Sequence, residues 1–330
     1  MADKWTGAAT GGTDANVVGI PTNILKLYTN DVIWTALPVM RFDQFAVVRT
    51  DLQASPGDTI VFPKYGNLTR GGSLAEDVDL ESENLTKSSI TISVTEYGKA
   101  VGLTQKFLSL SFLDEVQNAA IALGRDYAVV VDLMLRDALF SGTQVILAAS
   151  RSAQKDIVAT DTLTTTDIDP AVELLATANV LKYVDANGEY YGGYCHPHQA
   201  TSFKKSMISI RQYQYPEIIF KGEIGEYNGV RFIETSNCPN GAAAVTEGGY
   251  DATLVAGYQY GATGTDINTV NLYEAVIFGE RAYAWAVALP VELREDPGST
   301  NFSRKRRIAW YSIMGAGKIV NENIVIIRTA

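Results

Sequence analysis

The chain has 330 residues, of which 46% are hydrophobic, 10% aromatic and 19% charged, and its formal net charge is −10. That length predicts two domains, or one with large insertions, and the apolar content allows a sizeable core. The acidic balance disfavours a tight nucleic-acid binder, Cys195 and Cys238 are too few and too far apart for a disulfide scaffold or a CxxC site, and no run of about 18 apolar residues is present to span a membrane.

Residues 1–20 are rich in Gly, Ala and Thr without periodicity, and read as a flexible arm with no apolar signal core. From Ile20 to Val39, Leu25, Tyr28, Val32 and Trp34 predict a short helix closing before Pro38, with aromatics suited to docking on another surface. Phe42 to Thr50 reads as a short strand or extended link. After the turn signal Ser55-Pro56-Gly57, Asp58 to Pro63 predicts a strand, and Ser89 to Thr104 alternates β-branched and polar residues as one long half-buried strand. Between them lies the most acidic window of the chain, with Glu76, Asp77, Asp79, Glu81 and Glu83. The two strands and their polar connection form a hairpin arm, which is marginal alone and must rest on its own subunit or a neighbour.

Ser111 to Ser141 predicts the dominant element, a helix roughly 45 Å long at about 1.5 Å per residue. Ser111 is its expected cap, Asp114 and Glu115 suit the positive end of the helix dipole, and Leu113, Val116, Ala120, Leu123, Tyr127, Val130, Met134 and Ala138 recur at helical spacing. Its polar face of Gln117, Arg125, Asp132 and Arg136 is expected at the surface or against another subunit. Gly124, which costs about 1 kcal/mol relative to Ala in a helix, is expected to mark a bend.

Thr143 to Ala149 predicts a strand. A helix then opens at Asp169, with Pro170 at its first position, and runs to about Tyr183, where Asp185 to Gly188 is the terminating turn. Tyr190 to His196 reads as a buried strand, Pro197 to Met207 as a helix, 222–237 as a turn and strand, 250–262 as a strand, and 268–290 as further strands. Glu292 to Arg307 reads as a polar linker ending in Arg304-Lys305-Arg306-Arg307. Two strand-like segments follow within 308–327, around turns at Gly315-Ala-Gly-Lys318 and Asn321-Glu-Asn323. This order is α+β, with a second domain inserted at about 165–295.

Chemistry-bearing patterns are sparse. The two histidines form His196-Pro-His198, an i, i+2 pair that could face one metal but has no further His, so no metal site is expected. Cys195 and His196 are adjacent on a strand and point to opposite faces, a poor nucleophile–base pair. Gly315-Ala-Gly-Lys318 fails GxxxxGK[ST] at both its first Gly and its last position. The acidic window lacks anything to exclude water. No catalytic constellation, cofactor or metal is expected, and the chain is not read as an enzyme.

Taken together, TIVFPKYGNL, TKSSITISVTEYGKAVGLT, the long helix with GTQVI, YCHPHQATSFKK, and above all FKGEIG leading into GVRFIET resemble the major capsid proteins of tailed double-stranded-DNA phages. These have the Hong Kong 97-type fold, which encapsulins share, and the GEIG and GVRF-ET stretch resembles the branch typified by coliphage N-four. The resemblance implies an N-arm at 1–45, a lead into the peripheral (P) domain at 46–56, an E-loop hairpin at 57–105, the P domain at 106–164 with its spine helix at 111–141, an axial (A) domain at 165–295, and a return to the P-domain sheet at 296–330. It implies a structural protein, made in the host bacterial cytoplasm, that assembles with itself as pentamers and hexamers into an icosahedral head around DNA. Further partners implied are a separate scaffolding protein, a portal, a decoration protein as an additional candidate, and packaged DNA by weak non-specific contact, with no membrane. Trp34, Glu76, Asp77, Asp79, Glu81, Glu83, Arg125 and Arg136 are the expected inter-subunit contacts, and no Lys–Asn crosslink through Lys64, Lys87 or Asn84 is expected. An encapsulin-like compartment is the alternative.

Overall fold

A computed structural model describes residues 40–53, 57–66, 68–73, 76, 79, 82–111, 114–152, 156–185, 188–211, 226–240, 272–296 and 304–330. The described chain runs through β1 (Val47–Arg49), β2 (Thr59–Tyr65), β3 (Lys87–Ser93), β4 (Thr95–Thr104), α1 (Gln105–Leu110), α2 (Glu115–Phe140) and β5 (Gln144–Leu147). It continues with α3 (Thr165–Thr177), β6 (Tyr183–Asp185), β7 (Gly188–Cys195), α4 (Pro197–Arg211), β8 (Glu226–Tyr227), β9 (Val230–Glu234), β10 (Tyr273–Phe278), β11 (Tyr283–Asp296), β12 (Lys305–Lys318) and β13 (Ile324–Thr329). The expected helix at 20–39 and strand at 250–262 lie outside the described residues.

One sheet has the order β1-β11-β12-β4, with β11 and β4 antiparallel to β12 and β1 parallel to β11. Along β12 the side chains of Ile308, Trp310, Ser312 and Met314 are buried, the period of two that puts one face of a strand on a core. That face receives α2, whose Leu123, Val131, Leu135 and Leu139 are buried in the same cluster. Trp310 meets Tyr127 edge-to-face at 5.4 Å and donates its indole N–H to Asp126 Oδ2 at 3.0 Å.

The second sheet has the order β5-β13-β10-β7-β9-β8, with β6 on β7. Its central strands β10 and β13 are apolar on both faces. Val276, Phe278, Ile324 and Ile326 join the cluster of α2, while Ala275, Ile277, Val325 and Ile327 join a second cluster with α3 and α4. Of the C-terminal segment, residues 305–318 form β12 in the first sheet beside β11, whereas β13 pairs with β10 and β5 in the second.

Several local expectations change for identifiable reasons. The long helix is capped by Asp114, whose carboxylate accepts from Gln117 N–H at 3.2 Å, while Ser111 closes the separate helix α1. The predicted single strand 89–104 is divided at Val94 into β3, which pairs with β2, and β4, which pairs with β12, and the Val94 N–H donates to Asp58 O at 2.9 Å, one step further along the β2–β3 register. Helix α3 starts at Thr165, four residues before Asp169, because the buried Asp167 carboxylate accepts from Thr164 N–H at 3.0 Å and from the Thr164 hydroxyl at 2.6 Å. Pro170 therefore lies inside the helix, and Asp185–Gly188 closes the β6–β7 hairpin instead of ending a helix. Within the predicted linker 292–307, Glu292–Asp296 and Lys305–Arg307 are strand, and Gly315-Ala-Gly-Lys318 is not a turn but the end of β12, paired with β11 from Tyr283↔Lys318 to Ala286↔Gly315.

The polar face of α2 is the largest correction. Asp132 and Arg136 are 0% and 2% exposed, so they are interior, and Arg136 has no surface to offer a neighbour. Asp132 Oδ1 accepts from the backbone N–H groups of Arg41 (2.7 Å) and Phe42 (2.9 Å), and Oδ2 accepts from Asn237 Nδ2 (2.5 Å). The hydroxyls of Tyr194 and Tyr283 donate to the carbonyls of Arg41 (2.7 Å) and Phe42 (2.5 Å). The turn that brings the chain into β1 is gripped from the helix and from both sheets. Asp132→Ala strands buried donors and is expected to cost about 3 kcal/mol or more. Asp132→Asn, which keeps one oxygen, should cost less. Thermal and urea melts check this, and a loss under about 1 kcal/mol for the alanine variant would show that the turn is held by other contacts.

Candidate inter-subunit surfaces

The hairpin β2–β3 pairs only with itself, from Thr59↔Ser93 to Tyr65↔Lys87. At its root Ile60 and Ile92 are buried against Ala284 and Ala286 of β11. A Cβ at Gly315 would collide with the Ser93 carbonyl, and one at Gly317 would crowd Ile92, so these glycines let the hairpin lie close on β12. Beyond the root, Val61, Tyr65, Leu68 and Leu85 are each more than half exposed. Lys64, four residues along β2 from Ile60, pairs with Glu322 at 3.5 Å. The Glu322 carboxyl is held below its ordinary value, first by its own backbone N–H and then by Lys64.

The expected contact residues separate. Glu76, Asp79 and Glu83 lie exposed on the arm, and Glu83 turns back on it, accepting from Thr69 N–H at 2.8 Å and the Thr69 hydroxyl at 2.9 Å. Arg125 is half-buried on α2, and Arg136 is interior, bonded to Asp137 at 2.6 Å. Trp34, Asp77 and Glu81 lie outside the described residues. In the basic run, Arg306 pairs with Glu295 across β11–β12, whereas Arg304 and Lys305 have no ion-pair partner among the described residues.

Elsewhere the chemistry is quiet. His196 and His198 both pack on the Tyr273 ring, at 4.8 and 4.6 Å, and His198 N–H donates to His196 Nδ1 at 3.2 Å. Burial, then the neighbouring His198, holds the His196 imidazole below its ordinary value. The Cys195 thiol is pushed up to about 12 by burial, the reverse of what a nucleophilic thiolate needs. Among the described residues no group of three or more His, Cys, Asp or Glu side chains is placed to hold a metal ion.

A family model described as "Phage capsid protein" matches residues 87–317. The chain belongs to the phage capsid protein family. No curated protein sequence matches it. Among solved structures it is similar to the cyanophage Pam1 capsid asymmetric unit, with a TM-score of 0.75 at 15% identity over 94% of this chain and 98% of that one. It is also similar to the head structure of Helicobacter pylori bacteriophage KHP40 (TM-score 0.71, 13% identity, 96% and 99% covered) and to the capsid of Ralstonia phage GP4 (0.68, 14%, 93% and 95%). The fold is therefore the α+β Hong Kong 97-type capsid fold. This capsid protein is a structural major capsid protein of a phage head, and its place is the virion capsid.

Sequence reasoning located the arm and helix of the capsid protein but missed the seat of the arm on Gly315. The signal was present, since Gly315 and Gly317 sit at i, i+2 in an otherwise β-type run, the mark of a close backbone approach. Gly315→Val is expected to lift the arm root, read as faster amide hydrogen exchange at Val94. Gly102→Ala, where nothing lies within 4 Å, should leave that exchange unchanged. For His196, the unfolded chain binds the proton more readily than the folded one, so its contribution to stability is complete above its ordinary value of 6.5 and is lost as pH falls through it. Thermal melts should show the wild type losing more stability than His196→Gln as pH falls below about 6.5. Equal losses would show that His196 titrates alike in both states.

Proposed function

We propose that the capsid protein assembles as pentamers and hexamers into an icosahedral head enclosing double-stranded DNA, and that it does no catalysis. The observation that carries this reading is the arm, a hairpin seated at its root whose Val61, Tyr65, Leu68 and Leu85 stay more than half exposed. Such a surface is stable only when a neighbour covers it. In this reading the segment before residue 46 is the N-arm, the hairpin is the E-loop, α2 is the spine of the P domain with the sheet β1-β11-β12-β4, and the second sheet with α3 and α4 is the A domain. The coliphage N-four-type branch is supported by Gly229-Val-Arg-Phe-Ile-Glu-Thr235. There Asn228 and Gly229, both at positive φ, turn β8 into β9, and β9 lies parallel to β7.

A separate scaffolding protein, a portal and a decoration protein are the partners this assembly calls for, with DNA held by weak non-specific contact under the net charge of −10. Synthesis belongs in the host bacterial cytoplasm. Negative-stain microscopy of the protein co-expressed with its neighbouring genes should show shells tens of nanometres across, and native particles should contain DNA. Shells loaded with an enzyme and free of DNA would make the encapsulin-like reading the right one. Deletion of residues 66–86 is expected to leave a folded subunit, by circular dichroism, that forms no stable shells. Normal assembly of that deletion would remove the E-loop role.

A further inference from the structure

We infer that the groove where β4, α1 and β12 meet, with its cations Lys106, Arg304 and Lys305, binds the phosphate backbone of double-stranded nucleic acid. The inference rests on the capsid reading, which puts DNA inside the head, and names the surface of the subunit that meets it. The groove has a volume of about 230 Å³ and is lined by Thr104, Gln105, Lys106, Arg304 and Lys305. Its floor is backbone held in place: Lys305 pairs with Thr104 in the β12–β4 ladder, and the Gln105 N–H donates to the Arg304 carbonyl at 2.9 Å. The next residue along β12, Arg306, is matched by Glu295. The three cations of the groove stand on a fixed support, and among the described residues none of them has an ion-pair partner.

The surroundings favour phosphate over an acidic protein segment. Residues two apart share one face of a strand, so the exposed Arg307 follows the exposed Lys305 on the same face of β12, roughly 6–7 Å further on. Across the ladder Lys305 stands opposite Thr104 and Arg307 opposite Gly102, where an added Cβ would meet nothing within 4 Å. From Gly98 to Thr104, β4 has no carboxylate, so it lays an uncrowded, uncharged lane beside the cations. On the other side Asp296 of β11 stands opposite Arg307, so the contact centres on the other three. All five lining residues are polar or charged. A docked protein segment would find no apolar pocket for an anchoring side chain, the feature on which most protein interfaces depend. A phosphodiester chain needs none, because Lys, Arg, hydroxyl and backbone groups hold it without regard to sequence. Arg304 offers a planar fork for two phosphate oxygens, and the two lysines act as point charges. The net charge of −10 on the whole chain keeps the contact weak.

Salt-dependent binding tests the assignment. The full chain is titrated into a fluorescent duplex of about 20 base pairs, read by anisotropy between about 50 and 200 mM salt. Arg304→Gln with Lys305→Gln is expected to weaken binding about tenfold at the lower salt, with melting temperature unchanged. It should also flatten the slope of log affinity against log salt by about 2, since each lost phosphate contact removes about 0.9. Lys205→Gln with Arg281→Gln removes the same two charges from exposed sites elsewhere and should leave the slope unchanged. In the wild type, the duplex should protect Lys106 and Lys305 from acylation several-fold, read by mass spectrometry, and should leave Lys205 unprotected. Inorganic phosphate at the same phosphate concentration should protect none of them. No duplex binding by the wild type, equal slopes for the groove and control variants, or equal protection by inorganic phosphate overturns the proposal. A groove variant that binds the duplex like the wild type but forms no shells also overturns it, and assigns the groove to an acidic protein surface. The capsid reading is judged separately, by whether the wild type forms shells.

Discussion

The buried carboxylate of Asp132 is the constraint on which the arrangement of this subunit depends. A carboxylate taken out of water is costly unless its oxygens are met by donors. Here the donors are two consecutive backbone amides, of Arg41 and Phe42, and the Asn237 amide from a loop after β9. Because backbone amides cannot rotate away, the carboxylate fixes a position of the main chain and not merely a side chain. Tyr194 and Tyr283 take the carbonyls of the same two residues, so both faces of one short turn are bonded to tertiary partners. The chain thus enters the fold at a point defined by α2, β7 and β11 together. Whatever residues 1–39 contact in an assembly, they start from that fixed point.

A second constraint follows from the alternation along β10 and β13. Val276, Phe278, Ile324 and Ile326 point into the cluster under α2, and Ala275, Ile277, Val325 and Ile327 into the cluster under α3 and α4. Two cores that share the same strands have no apolar seam along which to slide, and sliding would break the ladder Tyr273↔Thr329 to Phe278↔Ile324. Interiors packed in this way transmit strain instead of absorbing it. The hairpin differs. Its root rests on four buried apolar residues, and outward from Phe62 and Ile90 its side chains are exposed. It is the place where the described subunit can change shape at low cost.

What the sequence made legible was whatever a local rule could see. Alternation announced the arm strands, capping residues and helical spacing announced α2, and residues 222–237 announced a turn and a strand. What it concealed depended on partners far away in the chain. Asp132 and Arg136 look like a solvated helix stripe because periodicity assigns polar residues outward, yet the partners of Asp132 lie 90 to 105 residues away. Residues 292–307 look like a linker because the outer ends of β11 and β12 are open to solvent, with Leu293 exposed, so no apolar alternation marks them. Gly315 and Gly317 suggested a turn for want of the neighbour, Ser93 to Ile92, that requires them. Among the contact residues, charge density alone singled out the acidic window, and nothing local could show that Arg136 is interior.

The energetics of the arm explain why a shell protein keeps such an unsupported element. Val61, Tyr65, Leu68 and Leu85 are already partly covered, so docking on a neighbour gains only about 1 kcal/mol for each, with charge pairs at exposed sites adding a few tenths. One such contact is too weak to hold two subunits against the cost of association. In the proposed closed ring every subunit would give one arm and receive one, and each contact after the first would be made at high effective concentration. Misplaced subunits, held by one arm, leave quickly, while completed rings are held by all of them at once. A strong, fully buried arm interface would trap errors. An arm rooted by a few residues and open beyond them favours reversible assembly of single subunits and stability of the finished shell.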